Sequence, residues 1–151
     1  MSAQTRWKPH VTVAAVIARD GRFLMVEENT EEGLQLNQPA GHLEEGESLV
    51  DAAVREVLEE TAWHFAPSHL VGVYQWNWKN RCYLRFAFCG ELLDEEAGRA
   101  LDDGIVRTVW MSEDELQASR ARHRSPLLMQ CVHDYLAGQR VPLDVLHWVL
   151  P

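Results

Sequence analysis

The chain has 151 residues, 46% of them hydrophobic and 25% charged, with a formal net charge of −9. That suits one globular domain, 1–151, able to bury a sizeable core, and no apolar run is long enough to cross a membrane. The acidic balance argues against a nucleic-acid polymer as partner, since that needs a basic face, and a bound phosphate ester then calls for a cation in between.

The N-terminal MSAQTRWKPH is polar and lacks the apolar core of a secretion signal, so a cytoplasmic protein is expected. Residues 11–18, VTVAAVIA, form a β-branched apolar run, and Asp20-Gly21 is a hairpin turn signal leading to a partner strand at 23–26. Residues 27–33 read as a polar loop and 36–40 as a short strand closed by Pro39 and Gly41. Ser48 and Asp51 make a capping-box pattern that starts a helix. Val50, Val54, Val57 and Leu58 fall in one arc as its core-facing stripe, leaving Glu56, Glu59 and Glu60 on the other side beside Ala52 and Ala53, whose small size leaves room for a ligand.

Residues 70–78 and 83–92 read as strands joined by a Lys79-Asn80-Arg81 turn, and 94–104 as an acidic loop. A strand follows at 105–111, a short helix capped by Ser112, and a helix at 126–137 stopped by Gly138. The apolar tail is expected to dock on the body. Cys82, Cys89 and Cys131 are too widely spaced for a disulfide framework or a structural zinc site, and Cys82 and Cys89 read as small buried hydrophobes. Strands mixed with two major helices predict an α+β fold, a mixed β-sheet packed between helices in an α/β/α sandwich.

Residues 41–63 hold most of the chemistry. Like charges three and four apart on a helix repel, and Glu56, Glu59 and Glu60 make sense together when a cation sits among them. Hard Mg²⁺ takes oxygen ligands, and a divalent ion next to a di- or triphosphate neutralises its oxygens and activates water. This stretch resembles the Nudix box: Gly, five residues, Glu, seven residues, Arg-Glu, an apolar residue, any residue, Glu-Glu. Gly41, Glu47, Arg55, Glu56, Val57, Glu59 and Glu60 all match. The box ends in glycine and an apolar residue, whereas here Ala62 and Trp63 stand; an altered helix end is expected, with the chemistry kept. The segments KPHVTVA, NQPAGHLE, LRF, RSPL and GQR-x-PL resemble a narrower group of bacterial Nudix phosphatases.

The resemblance implies a Nudix fold and a Mg²⁺-dependent phosphohydrolase, with Mn²⁺ as substitute. It would release phosphate from nucleoside tri- and diphosphates and act on hydroxymethylpyrimidine pyrophosphate. Glu56, Glu59 and Glu60 are then the metal ligands, with the Ala40 carbonyl beside them, and Glu56 is the first candidate for the base. Arg55 and Glu47 arrange the ligands, and Gly41 supports them. Asp102 and Asp103 are the candidate extra acids, though they also read as ordinary loop residues. Trp76 and Trp78, sharing a strand face with Tyr74, can stack on a base or simply pack. Arg85 can bind phosphate or be a plain surface charge. His42 reads as structural, and the other histidines show no ligand spacing. The alternatives are a housecleaning nucleoside triphosphate pyrophosphohydrolase, a non-catalytic nucleotide-sensing module or an acidic docking face. An ADP-ribose hydrolase is disfavoured by the absence of proline between Pro67 and Pro126. Partners are a small nucleotide or pyrophosphate substrate, and the chain is expected as a monomer or homodimer.

Overall fold

A computed structural model describes residues 5–151; the first four residues of the polar N-terminal stretch lie outside the described residues. The first apolar run forms β1 (His10–Val16) and the two-residue β2 (Ala18–Arg19). Asp20 and Gly21 both take positive φ, 51° and 73°, the backbone of a type I′ turn. β3 (Arg22–Thr30) takes in the first four residues of the predicted polar loop, leaving only Glu31-Glu32 as the turn, because it is paired on both sides, with β4 (Gly33–Asn37) and β8 (Ile105–Ser112). Ladder bonding there outweighs local polarity, and Glu27 is buried against Arg107 and Arg122 at 3.1 and 3.2 Å. The strand expected at 36–40 splits into β4 and β5 (Ala40–His42). Pro39 between them has no N–H for a ladder, and its carbonyl accepts from the Ala15 N–H at 3.0 Å.

The next two strands are longer than predicted, β6 (Trp63–Trp78) and β7 (Arg81–Glu95), with Lys79 and Asn80 forming the turn at φ 47° and 61°. With β9 (Val141–Pro142) they complete a five-stranded mixed sheet, β5-β1-β7-β6-β9, in which β1 and β7 run parallel. β2, β3, β4 and β8 form a second, antiparallel sheet, so the predicted single sheet is divided in two. On one side Val13, Ala15, Ile17 and Phe88 pack with α1 (Leu49–Thr61). On the other, Val16, Val71 and Ala87 meet Phe23, Met25 and Leu36 of the second sheet, α2 (Glu113–Ala118) and α3 (Leu127–Leu136). Burying a side chain such as Phe88 or Leu128 contributes about 1.5–3 kcal/mol. The three cysteines are free and buried.

α1 departs from its predicted orientation. Val57 is buried, but Val50, Val54 and Leu58 are half-buried, and the face pressed inward carries Ala52, Ala53, Glu56, Val57, Glu60 and Thr61. Ala52 and Ala53 leave no ligand space; their small size lets the helix lie close to the strands. That approach draws Glu56 and Glu60 into the body of the protein. Ser48 caps the helix, accepting from the Asp51 N–H at 3.1 Å, while the reciprocal half of the capping box is missing because the Asp51 side chain is shorter than the Glu or Gln that makes it. The box is complete at α2, between Ser112 and Glu115. At the other end α1 stops at Ala62, which adopts the left-handed conformation (φ 65°, ψ 12°) and donates its N–H to the Leu58 carbonyl at 2.9 Å.

Candidate active site

The edge strand β5 and helix α1 bring the box residues together around Arg55. Its guanidinium donates from Nε and Nη2 to the two oxygens of Glu47 at 2.9 and 2.7 Å, a bidentate pair. Nη2 also donates to the His42 carbonyl at 3.0 Å, and Nη1 to Glu56 at 2.8 Å and Glu59 at 3.1 Å. One side chain thus ties the loop before α1, the edge strand and two helix carboxylates together. The fork holds the Glu47 carboxyl below its usual range and raises the pKa of Arg55 itself.

Carboxylate oxygens of Glu56, Glu59 and Asp102 all lie within 4.8 Å of one another. Asp102 reaches this position because its backbone N–H donates to the Glu59 carbonyl at 3.0 Å, pinning the loop to the helix end. Of the two candidate extra acids, Asp102 joins the cluster; Asp103 is exposed and stands outside it. Glu60 points to the strand, its Oε1 accepting from the Ala40 N–H at 2.8 Å. Burial pushes Glu56 up to about 7, against the pull of Arg55, with Glu59 and Asp102 adding to the rise. Burial likewise pushes Glu60 up to about 9, opposed by the Ala40 N–H and reinforced by Glu28, Glu56 and Asp102. A set of closely spaced oxygens, partly buried and short of positive charge, fits a hard divalent cation.

Gly41 lies against Glu56: a Cβ built on it would overlap the Glu56 carboxylate. Its φ is not in the left-handed region, so the glycine is needed for space alone.

The remaining candidates scatter. Arg85 is not a surface charge: it is 5% exposed and donates to Gln38 at 3.0 Å and Asn37 at 3.3 Å. Tyr74 is half-buried and its hydroxyl donates to Asp134 of α3 at 2.7 Å, so it is not free to stack with Trp76 and Trp78. Those two rings stack on each other at 5.6 Å. Glu28 and Arg124, which sequence reasoning passed over, form an ion pair near Glu60 and His42. Their separation of 96 residues left no local signal.

The NUDIX domain family matches residues 8–131 of this chain. Phosphatase NudJ of Escherichia coli (strain K12) is 43% identical over 142 residues, covering 93% of this chain and 92% of that protein. The solved NUDIX hydrolase from Nitrosomonas europaea is 52% identical with a TM-score of 0.92, covering 94% of this chain and 98% of that one. The MutT NUDIX hydrolase from Burkholderia pseudomallei shares the fold at 20% identity, with a TM-score of 0.72 over 85% of this chain and 98% of its own.

Proposed function

The chain belongs to the NUDIX family, whose hydrolases act on phosphoanhydride-type bonds, and from that premise we propose a Mg²⁺-dependent enzyme that releases phosphate from nucleoside tri- and diphosphates and from hydroxymethylpyrimidine pyrophosphate. The likeness to a relative named a phosphatase, over nearly the whole length of both, supports the phosphate-releasing reading. The observation that carries the metal reading is the convergence of Glu56, Glu59 and Asp102 within 4.8 Å. Glu56, Glu59 and Asp102 would hold the ion, with Glu60 and the Ala40 carbonyl as the further oxygen donors. The ion supplies neutralisation of the phosphate oxygens and a lowered pKa for water.

The protein's own groups do the rest. Arg55 fixes the rotamers of Glu56 and Glu59, and Glu47 fixes Arg55. Glu56, held beside the cluster by Arg55 and the space at Gly41, accepts the proton of the attacking water. Gly41 leaves the space into which the Glu56 carboxylate fits. We read residues 1–151 as one cytoplasmic domain, monomeric or homodimeric.

A phosphate- and pyrophosphate-release screen over nucleoside tri- and diphosphates and hydroxymethylpyrimidine pyrophosphate tests this. Phosphate is expected as the product, whereas pyrophosphate release from triphosphates alone would overturn the reading in favour of a pyrophosphohydrolase. Glu60→Gln preserves the shape and the acceptor to Ala40, and is expected to cut turnover by orders of magnitude without unfolding the protein. Full Mg²⁺-dependent activity in that variant would refute the ligand set.

A further inference from the structure

The acid cluster occupies one face of β5, and a row of aromatic rings occupies the other. Successive side chains of a strand point to opposite faces; Gly41 abuts Glu56, so His42 projects away from the acids. On that second face His42 meets His10 of β1 edge-on at 5.6 Å, with 75° between the rings. His10 stacks on Tyr83 of β7 at 5.3 Å, and Tyr83 stacks on Trp76 of β6 at 5.6 Å. Trp76 then stacks on Trp78. The register explains the row: His10 is the direct cross-strand partner of Tyr83, and Tyr83 of Trp76.

Core packing does not account for these rings, since none of the five belongs to either hydrophobic cluster. His10, His42 and Trp78 are exposed, and Tyr83 and Trp76 half-buried. The two ends differ. At the hairpin end the Lys79 ammonium lies 4.4 Å over the Trp78 ring. At the β5 end the parallel stacking stops at His10, which is met only by the edge of His42. A flat ring lying parallel to His10 extends the stack there by displacing that edge. Arg124, ion-paired to Glu28, stands beside His42 at the same margin of the sheet.

We propose that the row seats the aromatic heterocycle of the substrate: the phosphates lie on the acid face, the substrate crosses the edge of the sheet at His42, and its heterocycle stacks on the outer face of His10, which Tyr83 backs from behind. This rests on the phosphohydrolase reading above and adds what that enzyme recognises. Stacking uses the π-face that every nucleobase and pyrimidine has, so the platform selects for an aromatic ring and discriminates little among bases. Trp76 and Trp78 back the platform from behind and do not meet the ring directly.

The test is calorimetric binding to the full chain in Mg²⁺, with adenosine 5′-(α,β:β,γ-diimido)triphosphate and the ring-free diimidotriphosphate as probes. Both resist turnover, so the result stands apart from any failure to hydrolyse, and failure of the phosphohydrolase reading shows instead in the release screen. His10→Ala is expected to weaken the nucleotide about tenfold or more, and Tyr83→Ala, which removes the ring backing His10, about threefold or more, both leaving diimidotriphosphate within about twofold. His10→Phe, which keeps a flat ring, is expected to retain nucleotide affinity even if an alanine variant folds poorly. Equal weakening of both probes, unchanged nucleotide affinity in His10→Ala, or loss of nucleotide binding in His10→Phe would overturn the proposal.

Discussion

Gly41 and Ala62 stand at the two ends of the same stretch, and they obey different constraints. The backbone at Gly41 has an ordinary strand conformation, yet a single methyl group there would occupy the volume of the Glu56 carboxylate. Ala62 has the reverse problem. Its φ of 65° is one that glycine adopts freely and alanine adopts at a cost of roughly 1–2 kcal/mol, yet its methyl group is accommodated and nearly buried. The lesson is that glycine is indispensable where a buried carboxylate needs the space. Where only backbone strain is at stake, a cost of this size is spread over the whole fold.

The largest break in this contrast is Gly41→Ala. Displacing the Glu56 carboxylate by about 1 Å is expected to lower kcat by about 10²-fold or more while circular dichroism stays native. Activity within a fewfold of wild type would mean that Glu56 does not sit at the reacting centre.

A smaller effect sharpens what Gly41 makes room for. Glu56 and Glu60 titrate near 7 and 9 in the folded protein, above the ordinary 4.5 they resume on unfolding. A raised folded value means that their contribution to stability is complete at low pH and is lost as pH climbs from about 4.5 to about 9. The Tm of the metal-free protein therefore falls over that window, by several degrees, and Mg²⁺ raises Tm more at pH 9 than at pH 6. Thermal melts of wild type and Glu60→Gln check this, and a slope no shallower in the variant would show that Glu60 is not its source.

The smallest effect is expected from Ala62→Gly. Relief of the left-handed strain is partly offset by the freer unfolded chain and the lost methyl contact. The net is a rise in Tm of about 1–3 °C with turnover within about twofold. A large change in turnover would show that the helix end shapes the chemistry after all.

The sequence carried the box residues because their spacing is local, within one strand, one loop and one helix. It also showed the two tight turns, since Asp20-Gly21 and Lys79-Asn80 are contiguous. What it hid depends on distant pairing. The continuation of β3 through Glu27 needs β8, 80 residues away at Arg107. The burial of Arg85 needs Asn37 and Gln38. The rotation of α1 that buries Glu56 and Glu60 was misread because hydrophobicity alone favoured Val50, Val54 and Leu58; the closeness allowed by Ala52 and Ala53 outweighed it. In the sequence His42 reads as structural and His10 shows no ligand spacing, although the register of β1, β5 and β7 gathers them with Tyr83.

The Arg55 fork has a further consequence for how the protein is made. A knot of carboxylates that depended wholly on an external ion would leave the chain unfolded until that ion arrived, as happens in small metal-dependent domains. Here a cation is built into the polypeptide and is already bonded to Glu47, Glu56 and Glu59. Such a chain is expected to fold without the ion, which then adds stability on binding. On the metal-dependent reading proposed above, a cell starved of divalent ions would hold an idle but intact enzyme.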